Sequence, residues 1–360
     1  MSDSTREIRS ALRTILADHS TADAVLAAET EGWNESLWNV LDQNGFGTIA
    51  VSEQIGGSGG SVADACAVLQ EMGRSAASVP FAEHALLAGW LLALGNRALP
   101  EGVLTVIHDV SDMTVERTGD GITVSGEAKH VAWASASSHV LAAVQVDDAP
   151  LALMLPTADL SVGEGMNLAQ EQRRRVFADA VSVPSDNIWE LPADALEQLR
   201  LRGALSRAAL IAGALERVSE LTVRYTSERE QFGKPIGRFQ AVQRHIVRLA
   251  EMAQQAAMAT TVAALCAGDR LEFFETASAK IIAGECASGG TAAAHQAHGA
   301  IGMTKEYELG QLSRRLWSWR DEHGHERFWA GELGSRMAQA GADELWPRIA
   351  TGLVDSGDRS

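Results

Sequence analysis

Two stretches in the second half of the chain leave little choice of fold. From Ala193 to Arg229 there is no proline and only two glycines, Gly203 and Gly213, and from Gln240 to Cys266 there is neither. Helices of that length run for tens of ångströms. They are not stable alone in water and must bury an apolar stripe against a neighbour. Pro235 and Gly237 separate the first stretch from the second, and Gly268–Asp269 separates the second from a third. The spacing predicts long antiparallel helices packed as a bundle.

The rest of the chain divides by pattern. Over residues 1–100, Ala, Leu and Glu recur at helical spacing. Ile8, Leu12, Ile15 and Leu16 share one face of a first helix. A second helix is expected over Trp33–Gln43, ended by Gly45, and a third over Val62–Arg74, after the Gly56–Gly60 loop. Pro80 and the apolar run from Ala85 to Leu94 open a fourth. Over residues 101–190 the period changes to short β-branched runs (VLTVI, MTVER, ITVSG, HVLAAVQV, LALML), with Gly119–Asp120–Gly121 as a hairpin signal. These strands without intervening helices predict a small antiparallel barrel or sandwich. Residues 191–360 are the bundle. The fold class read from the chain is α+β, mainly α: a helical domain, a β domain and a C-terminal four-helix bundle.

Charge and cysteine usage remove several functions. A net charge of −17 argues against nucleic acid and against an anionic membrane surface as partners. A few local arginines can still hold a phosphorylated cofactor in an acidic protein. Cys66, Cys266 and Cys286 form no CxxC pair and no metal-ligand spacing, so no metal site is expected. Scattered thiols, no signal-peptide core and no apolar run of membrane-spanning length lead to the expectation of a cytoplasmic protein without a membrane span.

The segment Arg224–Gln243, RYTSEREQFGKPIGRFQAVQ, lies between the two long stretches. An arginine at such a turn can offer its guanidinium fork to a diphosphate. Phe232 can pack on a flat ring, and Gly233 permits the turn. A second segment, His295–Thr304 (HQAHGAIGMT), closes one helix and opens the next. Its two histidines are read as helix-surface residues rather than metal ligands. Together with the domain order, these motifs resemble the acyl-CoA dehydrogenase family. The resemblance covers nearly the whole chain. It is strongest at 205–245 and 280–315, and weakest in the β domain.

The resemblance implies a tetramer, homo- or heteromeric, with FAD bound between subunits. It implies an acyl-CoA substrate, lipid metabolism, and an electron-transferring flavoprotein as acceptor. In such enzymes a carboxylate base takes the α-proton of the thioester and a hydride leaves the β-carbon for the flavin. It further implies FAD contacts from Arg229, Gln231, Phe232 and Gln240, and a diphosphate approach at Gln296, Gly299 and Ala300. The Gly56–Gly60 loop is structural in this family.

The base positions depart from the pattern. In the commoner arrangement the base lies twenty-one residues beyond the equivalent of Gly302, which here is His323, preceded by Glu322. The alternative position, twenty-nine residues before Phe232, is Gly203. Three readings stay open: Glu322 acts from one residue away, His323 acts itself, or the chain has no base. The β domain also departs. The family's Gly-rich stretch is replaced by Thr105–Val110, and Trp133 is shifted from its expected place. Short members with this degeneration resemble the partner subunits of heteromeric acyl-CoA dehydrogenases, where another subunit supplies the base and the flavin-ring contacts. Two functions are therefore expected: an FAD-dependent acyl-CoA dehydrogenase, or a non-catalytic FAD-contacting subunit. The run Trp317, Trp319, Phe328 and Trp329 reads as packing, Arg314, Arg315 and Arg320 with Asp321 and Glu322 as an ion-paired helix end, and Arg173–Arg175 as a solvated loop rather than a contact for CoA phosphates.

Overall fold

The computed structural model describes residues 3–119, 121–304, 307–341, 343 and 346–347. The chain opens with α1 (Asp3–His19), α2 (Ala22–Glu31) and α3 (Glu35–Gln43), followed by α4 (Val62–Arg74). A π-helical stretch, Ala82–Gly89, runs into α5 (Trp90–Leu94). Local chemistry sets the boundaries. Asn34 caps α3 by accepting from the Leu37 amide at 2.9 Å. Ser61 and Asp64 form a reciprocal capping box at the start of α4. The expected fourth helix is present, but its first two turns are π-helical. That wider winding commonly marks a functional position, and it carries Glu83 and His84, both buried.

The β region comprises β1 (Leu104–Ile107), β2 (Met113–Thr118), β3 (Gly121–Ala132), β4 (His139–Val146), β5 (Ala149–Pro156), β6 (Ser161–Val162), β7 (Arg173–Val183) and β8 (Ile188–Glu190). They form two four-stranded sheets, ordered β1-β4-β5-β8 and β2-β3-β7-β6. Ile107, Val140, Val144 and Leu153 of one sheet share a buried cluster with Ile122, Val124 and Val176 of the other, so the sheets face each other as a sandwich. The expectation of a purely antiparallel domain needs correction, because β1 pairs with β4 in parallel. β2 and β3 pair as the expected hairpin, with Thr118 opposite Gly121; its turn residue Asp120 lies outside the described residues. β7 went unread in the sequence, because Arg173–Arg175 hides the start of an eleven-residue strand.

The bundle is built on α6 (Ala195–Glu228), α7 (Gln240–Cys266), α8 (Phe273–His298), α9 (Glu308–Asp321) and α10 (Glu326–Ala340), with the short ribbon β9 (Glu230–Gln231) and β10 (Lys234–Pro235) joining α6 to α7. Two glycines fix how α4 meets α6. A Cβ on Gly73 would lie 2.1 Å from the Leu210 carbonyl oxygen, and one on Gly213 would lie 1.8 Å from that of Gln70. The two backbones therefore touch, and the N-terminal domain is clamped to the bundle. Among the described residues no helix is long and apolar enough to cross a membrane.

Candidate functional site

The residues at and beside the expected base positions meet where all three domains converge. Glu322 follows the last residue of α9 and turns inward. Its Oε1 accepts from Arg173 Nε at 2.8 Å and from Asn167 Nδ2 at 3.0 Å. Its Oε2 accepts from Arg173 Nη2 at 2.8 Å and from Arg207 Nε at 2.7 Å. Burial alone would push this carboxyl upward, but the charges of Arg173 and Arg207 overcome it and hold Glu322 far below the ordinary carboxylate range. A base must have a free lone pair and a matched affinity for the proton. Glu322 has four hydrogen bonds and a strongly stabilised anion.

His323 serves no better. It adopts φ 54°, and its ring packs 4.8 Å from that of His108. It fills the space above Gly203: a Cβ there would lie 2.2 Å from His323 Nδ1. The two alternative base positions of the sequence are thus one place, and an imidazole occupies it. Burial first, then the positive charge of Arg207, keeps His323 well below the usual histidine range and therefore neutral. Trp329, fully buried on α10, fastens the turn by donating its Nε1 to the His323 carbonyl at 2.9 Å. From α8, buried Lys280 donates to the Trp319 and Arg320 carbonyls at 3.2 and 2.6 Å, capping α9; burial lowers its amine to about 7.

The ion pairs extend well beyond Glu322. Arg207 Nη2 donates to Glu83 Oε1 at 2.5 Å, and Glu83 Oε2 accepts from Trp133 Nε1 at 3.1 Å. The Arg173 guanidinium lies over the Trp133 ring, 5.5 Å from its centroid, and donates to Glu171 at 3.3 Å. Glu171 also accepts from Trp319 Nε1 at 3.1 Å, and Arg315 stands 3.4 Å from its other oxygen. Arg315 reaches Ser78 Oγ at 2.8 Å and Glu29 at 3.7 Å. One continuous lattice of buried carboxylates and guanidiniums therefore ties α2 and the π-helical stretch, the β domain and the bundle together. The cavity left inside it measures about 20 Å³ and is lined by Glu83, Trp133, Glu171, Arg173, Arg207 and Trp319 among others. That is room for about one water molecule.

This corrects two sequence readings. Arg173 is neither in a loop nor solvated, being 6% exposed at the head of β7. Glu322 and Arg315 do not pair along their own helix end: Glu322 meets Arg173 of the β domain and Arg207 of α6, and Arg315 meets Glu171 of the β domain and Glu29 of α2. Arg320 alone behaves locally, pairing with Glu326. Glu83, Glu171 and Arg207 were missed altogether, since nothing in their local sequence marks them. Trp133 was noticed, but its indole is turned to Glu83 and covered by Arg173.

The expected cofactor contacts lie elsewhere and look outward. Arg229 caps the end of α6, Gln231 and Phe232 lie in the β9–β10 ribbon, and Gln240 starts α7, all exposed. Phe232 is 92% exposed, at φ 53°, with only Phe239 as an aromatic neighbour, edge-on at 6.1 Å. Gln296, Gly299 and Ala300 are exposed at the end of α8, and a Cβ on Gly299 would meet nothing within 4 Å. The two stretches sit at one end of the bundle, because Tyr225, one turn before Arg229, stacks on His298 at 4.6 Å and 16°. His298 is 4% exposed and donates Nδ1–H to the Ala294 carbonyl at 2.9 Å. It is a packing residue rather than the helix-surface histidine expected. Burial lowers its proton affinity. Among the described residues no cluster of His, Cys, Asp or Glu could hold a metal ion.

Arginines at this end differ from those of the lattice. Arg224, Arg229, Arg238, Arg244 and Arg248 make no ion pair among the described residues. Unpaired guanidiniums, exposed backbone at Gly299–Ala300 and a naked Phe232 ring together suit an anionic ligand with a flat aromatic part. The donor set fits the diphosphate and ring system of a dinucleotide.

Residues 2–108 match the family model described as acyl-CoA dehydrogenase, N-terminal domain, and residues 194–324 match the C-terminal domain. Acyl-CoA dehydrogenase IpdE2 of Mycobacterium tuberculosis (strain ATCC 25618 / H37Rv) is 30% identical over 312 residues, covering 86% of this chain and 89% of the relative. The ChsE4-ChsE5 complex from Mycobacterium tuberculosis contains a chain of similar fold, at TM-score 0.86 and 21% identity, covering 95% of this chain and 99% of that one. A steroid ACAD variant, Tcur3481-Tcur3483 G363A, has TM-score 0.85 at 25% identity over 94% of this chain and 98% of the other.

Proposed function

Since the chain belongs to the acyl-CoA dehydrogenase family, we propose that it is the FAD-contacting, non-catalytic subunit of a heteromeric acyl-CoA dehydrogenase, with the base and the acyl cavity supplied by a homologous chain. The carrying observation is Glu322. The carboxylate beside the family's base position is consumed by Arg173 and Arg207, while His323 fills both base positions of this fold. The cavity enclosed by these ion pairs, about 20 Å³, has room for about one water molecule.

FAD, when bound, accepts the hydride of thioester dehydrogenation. The part left to this chain is binding. Arg229 and its unpaired neighbours neutralise a diphosphate, the Gly299–Ala300 backbone allows close approach, and Phe232 covers an aromatic face. All of these point away from the chain's own core, so they serve a cofactor whose reactive ring is housed by the neighbour. The reading requires one flavin for every two chains. One of the similar folds comes from a complex of two differently named chains, the kind of assembly required.

The test is made on the co-purified assembly. Glu322→Gln in this chain is expected to leave the rate of flavin reduction by acyl-CoA unchanged, whereas substituting the base of the homologous chain abolishes it. Loss of reduction in Glu322→Gln would instead make this chain catalytic.

A further inference from the structure

Among the described residues four arginines are buried, and Arg173, Arg207 and Arg315 meet the carboxylates of the lattice. The fourth, Arg202 on α6, is 4% exposed and meets no carboxylate among the described residues. Its Nη2 donates to the Asp269 carbonyl across a long 3.4 Å, and its Nε is buried without a partner. The guanidinium lies over the Trp90 ring at the start of α5, 4.5 Å from the centroid. Cys66 of α4 is close enough to feel its charge, but burial pushes that thiol up to about 12, so it is no counter-ion at neutral pH. Burial lowers the guanidinium itself to about 10, which leaves it a cation.

A buried cation without an anion is costly, and a cation–π contact recovers only a small part of that cost. An apolar side chain would fill the place without it, as Leu199 and Leu205 do nearby on the same helix. The cover over Arg202 is thin. Trp90 is half-buried, Gly268 and Asp269 of the α7–α8 turn are exposed, and a Cβ on Gly268 would meet nothing within 4 Å. The turn is fastened to α6 just beyond, where Leu271 exchanges two hydrogen bonds with the Gln198 amide, at 2.8 and 3.0 Å, and Arg270 pairs with Asp194.

The same observations describe what would fit. The unfilled Nε donor lies on the edge of the fork that takes two carboxylate oxygens in parallel. One positive charge is uncompensated, since the turn's other arginine, Arg270, already has Asp194. A single negative charge balances it, whereas a phosphate dianion would leave the site negative.

We propose that Arg202 anchors a binding site for a small monocarboxylate, walled by Trp90 and the Gly268–Asp269 turn and entered when that turn lifts. The site shares no residue with the ion-pair lattice or with the flavin-contacting end of the bundle, and it stands independently of the heteromeric reading.

The experiment is titration calorimetry on the full chain at pH 7 with acetate and butyrate as probes, against sodium chloride of matched ionic strength. Saturable binding of one carboxylate per chain is expected, with slowed amide exchange at Gly268–Leu271. Arg202→Lys keeps the charge but loses the fork, and should weaken binding by more than about tenfold. Arg202→Met should abolish binding, with a thermal midpoint of the ligand-free chain no lower than that of wild type. Absence of saturable binding by wild type would overturn the proposal whether or not either variant folds. Equal binding by wild type and Arg202→Met would overturn it too, placing the carboxylate on the exposed arginines of the bundle end. So would inorganic phosphate binding more tightly than butyrate.

Discussion

Arginine behaves in opposite ways in two regions of this molecule. At the junction of the three domains, Arg173, Arg207 and Arg315 are 6%, 2% and 0% exposed, and each meets carboxylates. At the α6–α7 end of the bundle, Arg224, Arg229, Arg238, Arg244 and Arg248 have none among the described residues. A buried guanidinium must be neutralised, because an unpaired charge is too costly to desolvate. An exposed one need not be, and a run of them on a chain of net charge −17 marks a surface that meets an anion from outside. The first region has become structure; the second is kept for something the chain does not contain.

The comparison breaks most visibly at Arg207. Arg207→Leu strands Glu83 and Glu322 inside the domain junction, and stability should fall by about 3–5 kcal/mol, seen as a lowered denaturation midpoint by circular dichroism. If the loss is under about 1 kcal/mol, the lattice is not what holds the domains together.

Glu322→Gln is milder, since Arg173 keeps Glu171 and Arg207 keeps Glu83. A loss of about 1.5–3 kcal/mol is expected at neutral pH. The pH profile sharpens it. The folded carboxyl lies below its unfolded value, so its contribution is fully present above about pH 4.3 and is lost as pH falls toward the folded value. Wild type should therefore lose more stability than Glu322→Gln when acidified below about pH 4. Parallel acid limbs would contradict the assignment.

Gly203→Ala places a methyl into His323 and should cost about 1–3 kcal/mol. In the His323→Ala background most of that cost should vanish, because the ring is the clashing partner. Additive losses in the double-mutant cycle would mean that His323 does not fill the base position.

Phe232→Ser should shift stability by less than about 0.5 kcal/mol, as befits a side chain 92% exposed. The flavin content of the co-purified assembly should nonetheless drop. Unchanged flavin with unchanged stability would leave Phe232 without a role.

The fold was largely legible because helices and strands announce themselves by period. Val62–Arg74 and Gln240–Cys266 stand within their expected bounds, since capping by Ser61 and the breaks at Pro235 and Gly268 are local signals. β7 was hidden by its three arginines, and the parallel β1–β4 pair by the absence of any local mark for strand order. The lattice was illegible for a deeper reason. Glu83, Glu171, Arg207 and Glu322 are separated by up to 239 positions along the chain. Each reads as an ordinary surface charge until the fold buries it beside the others. What the sequence did show was a mismatch, namely Gly203 and His323 where the family resemblance leads one to expect carboxylates. The structure turns that mismatch into a contact, with one residue occupying the space the other leaves.

The most direct measurement is the absorption spectrum of the chain purified alone and in complex with its homologue, followed by anaerobic titration with acyl-CoA. The account predicts a colourless chain that acyl-CoA does not change, and a yellow complex, one flavin for every two chains, that acyl-CoA bleaches. A chain that is yellow by itself and bleached by acyl-CoA would contradict it.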